Sequence, residues 1–337
     1  MGRYVIRRTL FAIPTLIVIS LIIFAILDLA PGDPTSNLPL TIPAEVKERI
    51  RESLGINDPF LVKWLKWSRL MFINEPLHTI ESIFNVCIGD CENRDRIISW
   101  SSRAPALDII WQRIPQTLWV LGLAFIIGTI IALPVGIISA YKQYSWFDNI
   151  GTLFSTIGFS VPTFFTGLLA IVVFSVFLGW FPSFYDTTLV VNSWDTFVLQ
   201  VKQMIMPVAV LSLFNAAALS RFTRASMLDN LNEDYVRTAR SKGLNERKVV
   251  MTHVLRNSLI PVVTLLALQI PGIFGGAIIT EQIFRINGLG QLLIAAIGQA
   301  DVPMVQTLTF MFAFLIVVFN LVADVTYGFL DPRIRYD

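Results

Sequence analysis

Side chains able to do covalent or metal chemistry are few in this 337-residue chain. His78 and His253 are its only histidines and stand far apart, and Cys87 and Cys91 are its only cysteines. Apart from His78, no further ligand lies near the cysteines, so the spacing predicts no metal site. No Gly-x4-Gly-Lys-Ser/Thr stretch occurs, so the chain has no P-loop to cradle ATP phosphates. Two isolated histidines cannot build a nucleophile and base pair, and the expectation is a chain without catalysis or a cofactor of its own.

The densest group of charged and polar side chains runs from Glu233 to Pro261, EDYVRTARSKGLNERKVVMTHVLRNSLIP. It lies between two apolar runs long enough to cross a bilayer, so it is a solvent-facing loop joining two spans. Asn232 or Asp234 can cap a helix start, Ala239 and the long Arg and Lys side chains favour continuation, and Gly243 supplies a turning point. The pattern predicts a helix, a glycine and a second helix, the first from about Leu231 to Lys242. Arg237, Arg240 and Lys242 are then available to acidic groups of a partner, with Tyr235 and Ala239, one turn apart, facing it. Glu233 and Thr238 complete this set.

The elements that must hold this loop follow from composition. Hydrophobic residues make up 54% and charged residues 15% of the chain, and the mean hydropathy is +0.65, which identifies an integral membrane protein. A formal net charge of +2 gives no basic patch, and nucleic-acid binding is set aside. About six apolar runs reach the roughly 18 residues needed to span lipid. They run near Thr9–Ala30, Pro115–Ala140, Ile150–Leu178, Met204–Ser220, Leu259–Thr280 and Val302–Gly328. Runs this long exclude barrel strands, so the fold class is an all-α polytopic membrane bundle. The first span is followed by Pro31-Gly32-Asp33-Pro34 where a small-residue cleavage site would stand, and it is expected to remain as a helix.

Lys and Arg set the orientation. Arg3, Arg7, Arg8, Lys142, Arg221, Arg224, the basic residues of the Glu233 loop, Arg333 and Arg335 fall on one side, whereas the opposite short loops hold only Lys202 and Arg285. Both termini and the Glu233 loop are therefore expected in the cytoplasm, and residues 31–114 outside it. The expected organisation is 1–30, a cytoplasmic N-terminus and first span; 31–114, an extracytoplasmic helical loop domain; 115–328, a five-span core with its loop at 222–258; and 329–337, a cytoplasmic tail.

In the outer segment, Pro43, Glu45, Val46, Ile50, Leu54 and Gly55 describe one short amphipathic helix. A second, from Pro59 to about Phe72, interleaves Leu61, Trp64, Leu65 and Trp67 with Lys63, Lys66 and Arg69; it suits either a membrane interface or a cap packed on itself. Cys87 and Cys91 suit either a short-loop disulfide or two unpaired thiols. Pro134 and Pro162 are expected to bend their spans, and the glycines at 122, 128, 136, 158 and 167 to let helices approach closely. Ser212, Asn215, Gln269 and Asn320 are polar residues inside spans, able either to line a path for a polar solute or to tie helices together; Ser220 and Asp324 belong to the same group.

With these residues in place, the loop resembles the cytoplasmic coupling loop of ABC-importer permeases of the dipeptide/oligopeptide branch. The likeness rests on Asp234-Tyr235-Val236-Arg237-Thr238-Ala239-Arg240, Lys242-Gly243-Leu244, His253, Arg256-Asn257 and Pro261-Val262-Val263-Thr264. It extends over the chain through Arg7-Arg8, Ile13-Pro14-Thr15, Ser160-Val161-Pro162, Trp180-Phe181-Pro182, Pro207, Arg221 with Arg224, Gly275-Gly276-Ala277, Glu281 with Phe284, Gly288-Leu289-Gly290, Asp301 with Pro303, Val305-Gln306 and Asp331-Pro332-Arg333. In the outer loop Gly89-Asp90 is followed by Cys91-Glu92-Asn93, without the second glycine and the serine usual in that family, and Ser241 stands where the family commonly has Ala.

The resemblance implies that this loop docks on a separate ATPase subunit and that ATP and Mg are bound there. It also implies two ATPases, a second related permease that usually differs from the first, and an extracytoplasmic solute-binding protein. The implied solutes are di- or oligopeptides, with oligosaccharides or nickel as alternatives. An ion-gradient-driven secondary transporter would instead require mid-span carboxylates and inverted repeats, and neither is evident. A membrane-bound enzyme would require a catalytic constellation, which is equally absent from the sequence.

Overall fold

The computed structural model describes residues 2–29, 43–53, 57–89, 91, 94–274 and 277–330. Residues 31–42 with their Pro31–Pro34 motif, Leu54, Gly55, Asp90, Glu92, Asn93, Gly275, Gly276 and the tail from Asp331 lie outside the described residues, as do the side chains of Ile50 and Asp324. Among the described residues the regular structure is helical, apart from one bridge between Ile98 and Pro105. In chain order the helices are α1 (Gly2–Leu29), α2 (Ala44–Ser53), α3 (Phe60–Arg69), α4 (Glu75–Phe84), α5 (Ala106–Tyr141), α6 (Trp146–Ser160), α7 (Thr163–Phe177), α8 (Trp194–Leu231), α9 (Asp234–Ser241), α10 (Glu246–Ile270), α11 (Ile278–Phe284), α12 (Leu289–Gly298) and α13 (Val302–Leu330).

Five of these, α1, α5, α8, α10 and α13, contain stretches long and apolar enough to cross a membrane, and α6 with α7 makes a sixth if counted as one span. The bend expected of Pro162 in the third span is present and sharp, since the chain turns by 100° between Ser160 and Thr163. Pro162 is the cause. It has no N–H to continue the ladder of α6, it holds Val161 extended at φ −87° and ψ 124°, and it then starts α7. Pro134 does not act in this way, since α5 continues through it to Tyr141. The fourth span is also longer than its apolar run. Ser193 caps α8 and exchanges hydrogen bonds with Thr196, and the helix continues past Ser220, carrying Arg221 and Arg224 on its last turns.

The chain divides into two compact units. One comprises Met1–Val5, Pro115–Gln291 and Val318–Asp337. Its centre is the long α5–α8 pair, and the close approach is set by Gly136, where an added Cβ would stand 2.7 Å from the Ser220 carbonyl and the Thr223 side chain. Ala132, Ala216, Leu219 and Val262 fill the space beside this contact, tying α10 to the same pair.

The other unit comprises Ile6–Ile114 and Leu292–Val317. The second outer helix is longer than the sequence pattern indicated: α3 passes through a π turn at Leu70–Asn74 directly into α4. Phe24, Trp67, Phe72 and Phe310 form an aromatic cluster with ring centres 5.3–6.2 Å apart. The fully buried Glu75 carboxylate accepts from the Ile97 N–H at 2.9 Å and from Arg96, whose guanidinium also donates twice to Asp108 at 2.8 Å. A buried charge is tolerated because its lone pairs are taken up in this way. Asp301 accepts from the backbone N–H groups of Trp100 and Ser101 and from the Ser99 hydroxyl, and its own α13 donates from Met304. Cys87 and Cys91 are joined as a disulfide, with Cα atoms 5.9 Å apart.

Candidate functional site

The charged loop is built on a short interior. α8 ends at Leu231, the chain turns through Asn232 and Glu233, and α9 begins at Asp234. The helix start is thus at Glu233, without a side-chain cap; Asn232 instead closes α8, and Asp234 lies in the first turn of α9. Gly243 has φ +74°, a left-handed conformation that lets the chain reverse after α9 without a Cβ clash. Asn245 then caps the helix of Glu246 by accepting from the Arg247 N–H at 3.0 Å.

Val236 and Ala239, three residues apart, form the inward stripe of α9. They pack with Ala140 of α5, Met227 of α8, and Val249, Val250 and Val254 of α10. Ala239 is therefore buried, 6% exposed, and does not share with Tyr235 the outward face expected for it. Spacing alone allows either side, since Ala239 is four residues after Tyr235 and three after Val236; the apolar cluster of Ala140, Met227, Val249, Val250 and Val254 beneath α9 decides it. The elbow rests on the ends of three apolar helices, one more than the fourth and fifth spans that adjoin it in sequence.

The outward face carries Glu233, Asp234, Tyr235, Arg237, Thr238, Ser241 and Lys242, all exposed. Its charges are partly committed within the chain. Arg237 stands 3.6 Å from Asp234, and Arg240 makes two contacts with Glu246 at 2.7 and 3.1 Å. Hydrogen bonding and attraction from Glu246 push the Arg240 guanidinium further above its ordinary value, so it is charged at every physiological pH. The Tyr235 hydroxyl donates to Asn230 Oδ1 at 2.6 Å, fixing α9 against the end of α8.

A second device, not foreseen from the sequence, braces the same end of the bundle. Asp148, 2% exposed on the first turn of α6, receives both Nε and Nη2 of Arg224 at 2.7 and 2.8 Å and also the Tyr144 N–H at 2.9 Å. The sequence offers Asp148 three residues after the capping Ser145, and Arg224 on the same side of the membrane, but nothing that pairs them. Its partner lies 76 positions away, beyond the range of any local pattern.

Of the four in-span polar candidates, two come together. A cavity of about 850 Å³ is lined by Asn215 and Gln269 together with Thr163, Phe164, Phe214 and Thr280 among other uncharged residues. Ser212 does not reach it; its hydroxyl is buried and donates to the Ala209 carbonyl within α8, beside Gly128 of α5. Asn320 lies on α13 and is not part of the lining. Below the cavity wall at Ile278–Thr280, Glu281 is fully buried and accepts from the Thr117 hydroxyl and the Gln291 N–H, each at 3.0 Å. Thr117 in turn accepts from the Leu289 N–H at 2.8 Å, so α5, α11 and the start of α12 are knotted at one carboxylate. Among the described residues no group of three or more His, Cys, Asp or Glu could hold a metal ion.

These features can be set beside known proteins. Residues 132–336 match the family described as binding-protein-dependent transport system inner membrane component, and residues 1–121 match the N-terminal region of such membrane components. The oligopeptide transport system permease protein AppB of Bacillus subtilis is 39% identical over the whole of both chains. The glutathione transport system permease protein GsiC of Escherichia coli is 36% identical, and a putative peptide transport system permease protein of Brucella abortus 35% identical, again over both full lengths. A solved amino acid ABC transporter with histidines aligns with 66% of this chain and 94% of its own at a TM-score of 0.50 and 12% identity, a likeness of fold alone. Matched end to end by these relatives, the chain belongs to the binding-protein-dependent transport system inner membrane component family, the membrane permeases of ABC importers.

Proposed function

We propose that this chain carries peptides across the membrane as one of two permease subunits in an ATP-driven importer. Its cargo arrives from an extracytoplasmic binding protein, and its energy from two separate ATPase subunits that hold the ATP and Mg. The observation that supports this most directly is the elbow: α9 offers an exposed polar face while its inner stripe is buried among the ends of α5, α8 and α10. A push on such a helix is transmitted because a close-packed interior resists compression. Glu233, Tyr235, Arg237, Thr238, Lys242 and the turn at Gly243 form the docking face, Ala239 its foundation, and Arg240 its internal strut to Glu246.

Peptides are favoured as cargo over oligosaccharides or nickel, because the relatives are named for oligopeptides, peptides and glutathione, itself a small peptide. The cavity containing Asn215 and Gln269 is suited to such a solute: its carboxamides can bond peptide groups, and its lining includes no ionisable side chain. Alternating access would come from two packings of the helices around it. A second, different permease completes the path, and both termini lie in the cytoplasm.

Purification of the chain with its co-assembling subunits tests the proposal. P-loop ATPase chains should accompany it, and liposomes containing the assembly and a binding protein should take up labelled peptide only with ATP and Mg. Uptake driven by an ion gradient without ATP, or an assembly lacking any ATPase, would overturn it.

A further inference from the structure

The helix that starts at Phe60 has two unlike faces. One is packed: Trp64 donates from Nε1 to Ser20 Oγ at 3.2 Å, Phe60 and Trp67 meet Phe24, and Trp67 and Phe72 each stand 5.3 Å from the ring of Phe310. The other is apolar yet uncovered, with Leu61, Leu65 and Ile73 between 54% and 61% exposed, while Phe72 at the seam between the faces is 42% exposed. Leu61 and Leu65 stand one helical turn apart, and Ile73 follows within the π turn at Leu70–Asn74.

The contacts on the packed face give a depth. Ser20 and Phe24 lie nine and five residues before Leu29, the end of α1, so Trp64 and Trp67 touch that span about 13 and 7 Å inside its end. Phe310 lies eight residues after Val302, the start of α13, which puts the same cluster about 12 Å inside a second span. Half a hydrocarbon core is only about 15 Å thick. Two independent spans thus locate this helix at the level of one leaflet, not above the bilayer. Its charges are compatible with that level: Lys63 pairs with Asp28 at the end of α1, Lys66 pairs with Asp58 at 2.6 Å, and the exposed Arg69 has a side chain long enough to reach the headgroups.

We propose that Phe60–Ile73 is embedded in the outer leaflet, its Leu61, Leu65 and Ile73 face lying against phospholipid acyl chains. This decides between the membrane interface and the self-packed cap, both compatible with the sequence. The outer segment is thereby anchored in lipid at the point where it packs on α1 and α13.

Nitroxide labels placed one at a time by Leu61→Cys, Leu65→Cys and Ile73→Cys, in a Cys87→Ser, Cys91→Ser background, test the idea. The chain is reconstituted with its co-purifying subunits in phosphatidylethanolamine/phosphatidylglycerol liposomes. All three labels should collide with oxygen more readily than with a water-soluble nickel chelate, and a Glu45→Cys label on α2 should show the reverse. Nickel access at Leu61 and Leu65 equal to that at Glu45, or shielding from both reagents at all three sites, would overturn the proposal in favour of water or another protein on this face. The unmodified chain supplies a second reading: a membrane-dissolved carbene precursor should label the peptide containing residues 60–73 on illumination, and an unlabelled peptide would count against the helix being in lipid.

Discussion

Replacing Glu281 by Ala should loosen the wall of the cavity from a distance. The carboxylate is fully buried and accepts from the Thr117 hydroxyl, the Gln291 N–H and the Gly290 N–H. Ala leaves three donors without an acceptor, at about 1–2 kcal/mol each. Release of the buried charge offsets part of that loss, so a net destabilisation of about 3 kcal/mol is expected. In a unit of this size it lowers the melting temperature by roughly 6–10 °C. Glu281→Gln keeps the shape and one acceptor and should lose only about 1 kcal/mol. Burial pushes the Glu281 carboxyl above the ordinary glutamate range, opposed by its three donors. A carboxyl whose pKa is higher folded than unfolded contributes stability that is present below the unfolded value and fades as pH rises through the folded one. The melting temperature of the unaltered chain relative to Glu281→Gln should therefore rise as pH is lowered from about 8 to about 5. Differential scanning fluorimetry of purified variants, together with peptide uptake, reads both effects. Equal melting of Ala and unaltered chains, or a pH trend of the opposite sign, would refute the assignment of Glu281 as a buried clamp.

Gly288→Ala probes the same knot from the other side, since its Cβ would stand 2.5 Å from both Glu281 and Thr117; a loss of about 1–3 kcal/mol is expected in the same melting assay. Gly243→Pro, or reversal of charge at Arg237 together with Arg240, should leave the chain in the membrane while ATP hydrolysis no longer yields uptake, and normal peptide uptake would count against the elbow as a lever. Asp148→Asn weakens a buried two-point ion pair with Arg224 and should cost about 1–3 kcal/mol, seen as earlier melting that added salt does not reproduce in the unaltered chain. A thiol assay on denatured, unreduced chain should find neither Cys87 nor Cys91 reactive, and two reactive thiols would exclude the disulfide.

Much of the architecture was legible in one dimension. Hydropathy located all six apolar runs, and Pro162 marked the break in the third, although not its size. Gly243 announced the turn after α9 because a left-handed residue is strongly tied to one amino-acid type. The inward stripe of α9 is less legible: Val236 is a lone aliphatic among charged neighbours, and Ala239, small and apolar, suits either face. For Ser212, Asn215, Gln269 and Asn320, polarity inside a span requires a partner or a cavity without specifying which. Ser212 found a carbonyl of its own helix, whereas Asn215 and Gln269 found the cavity.

The sequence by itself determined the membrane class, the approximate spans, the solvent-facing elbow and the family, because each depends on local run length, charge or residue order. Only the tertiary structure decided that α9 rests on three helices, that Asp148 meets Arg224, that Glu281 ties Thr117 to the start of α12, and that Trp64 and Trp67 reach well inside the first span. Each of those joins separate helices, in most cases through residues tens to more than a hundred positions apart, and its energy depends on geometry and burial that exist only once the helices have packed.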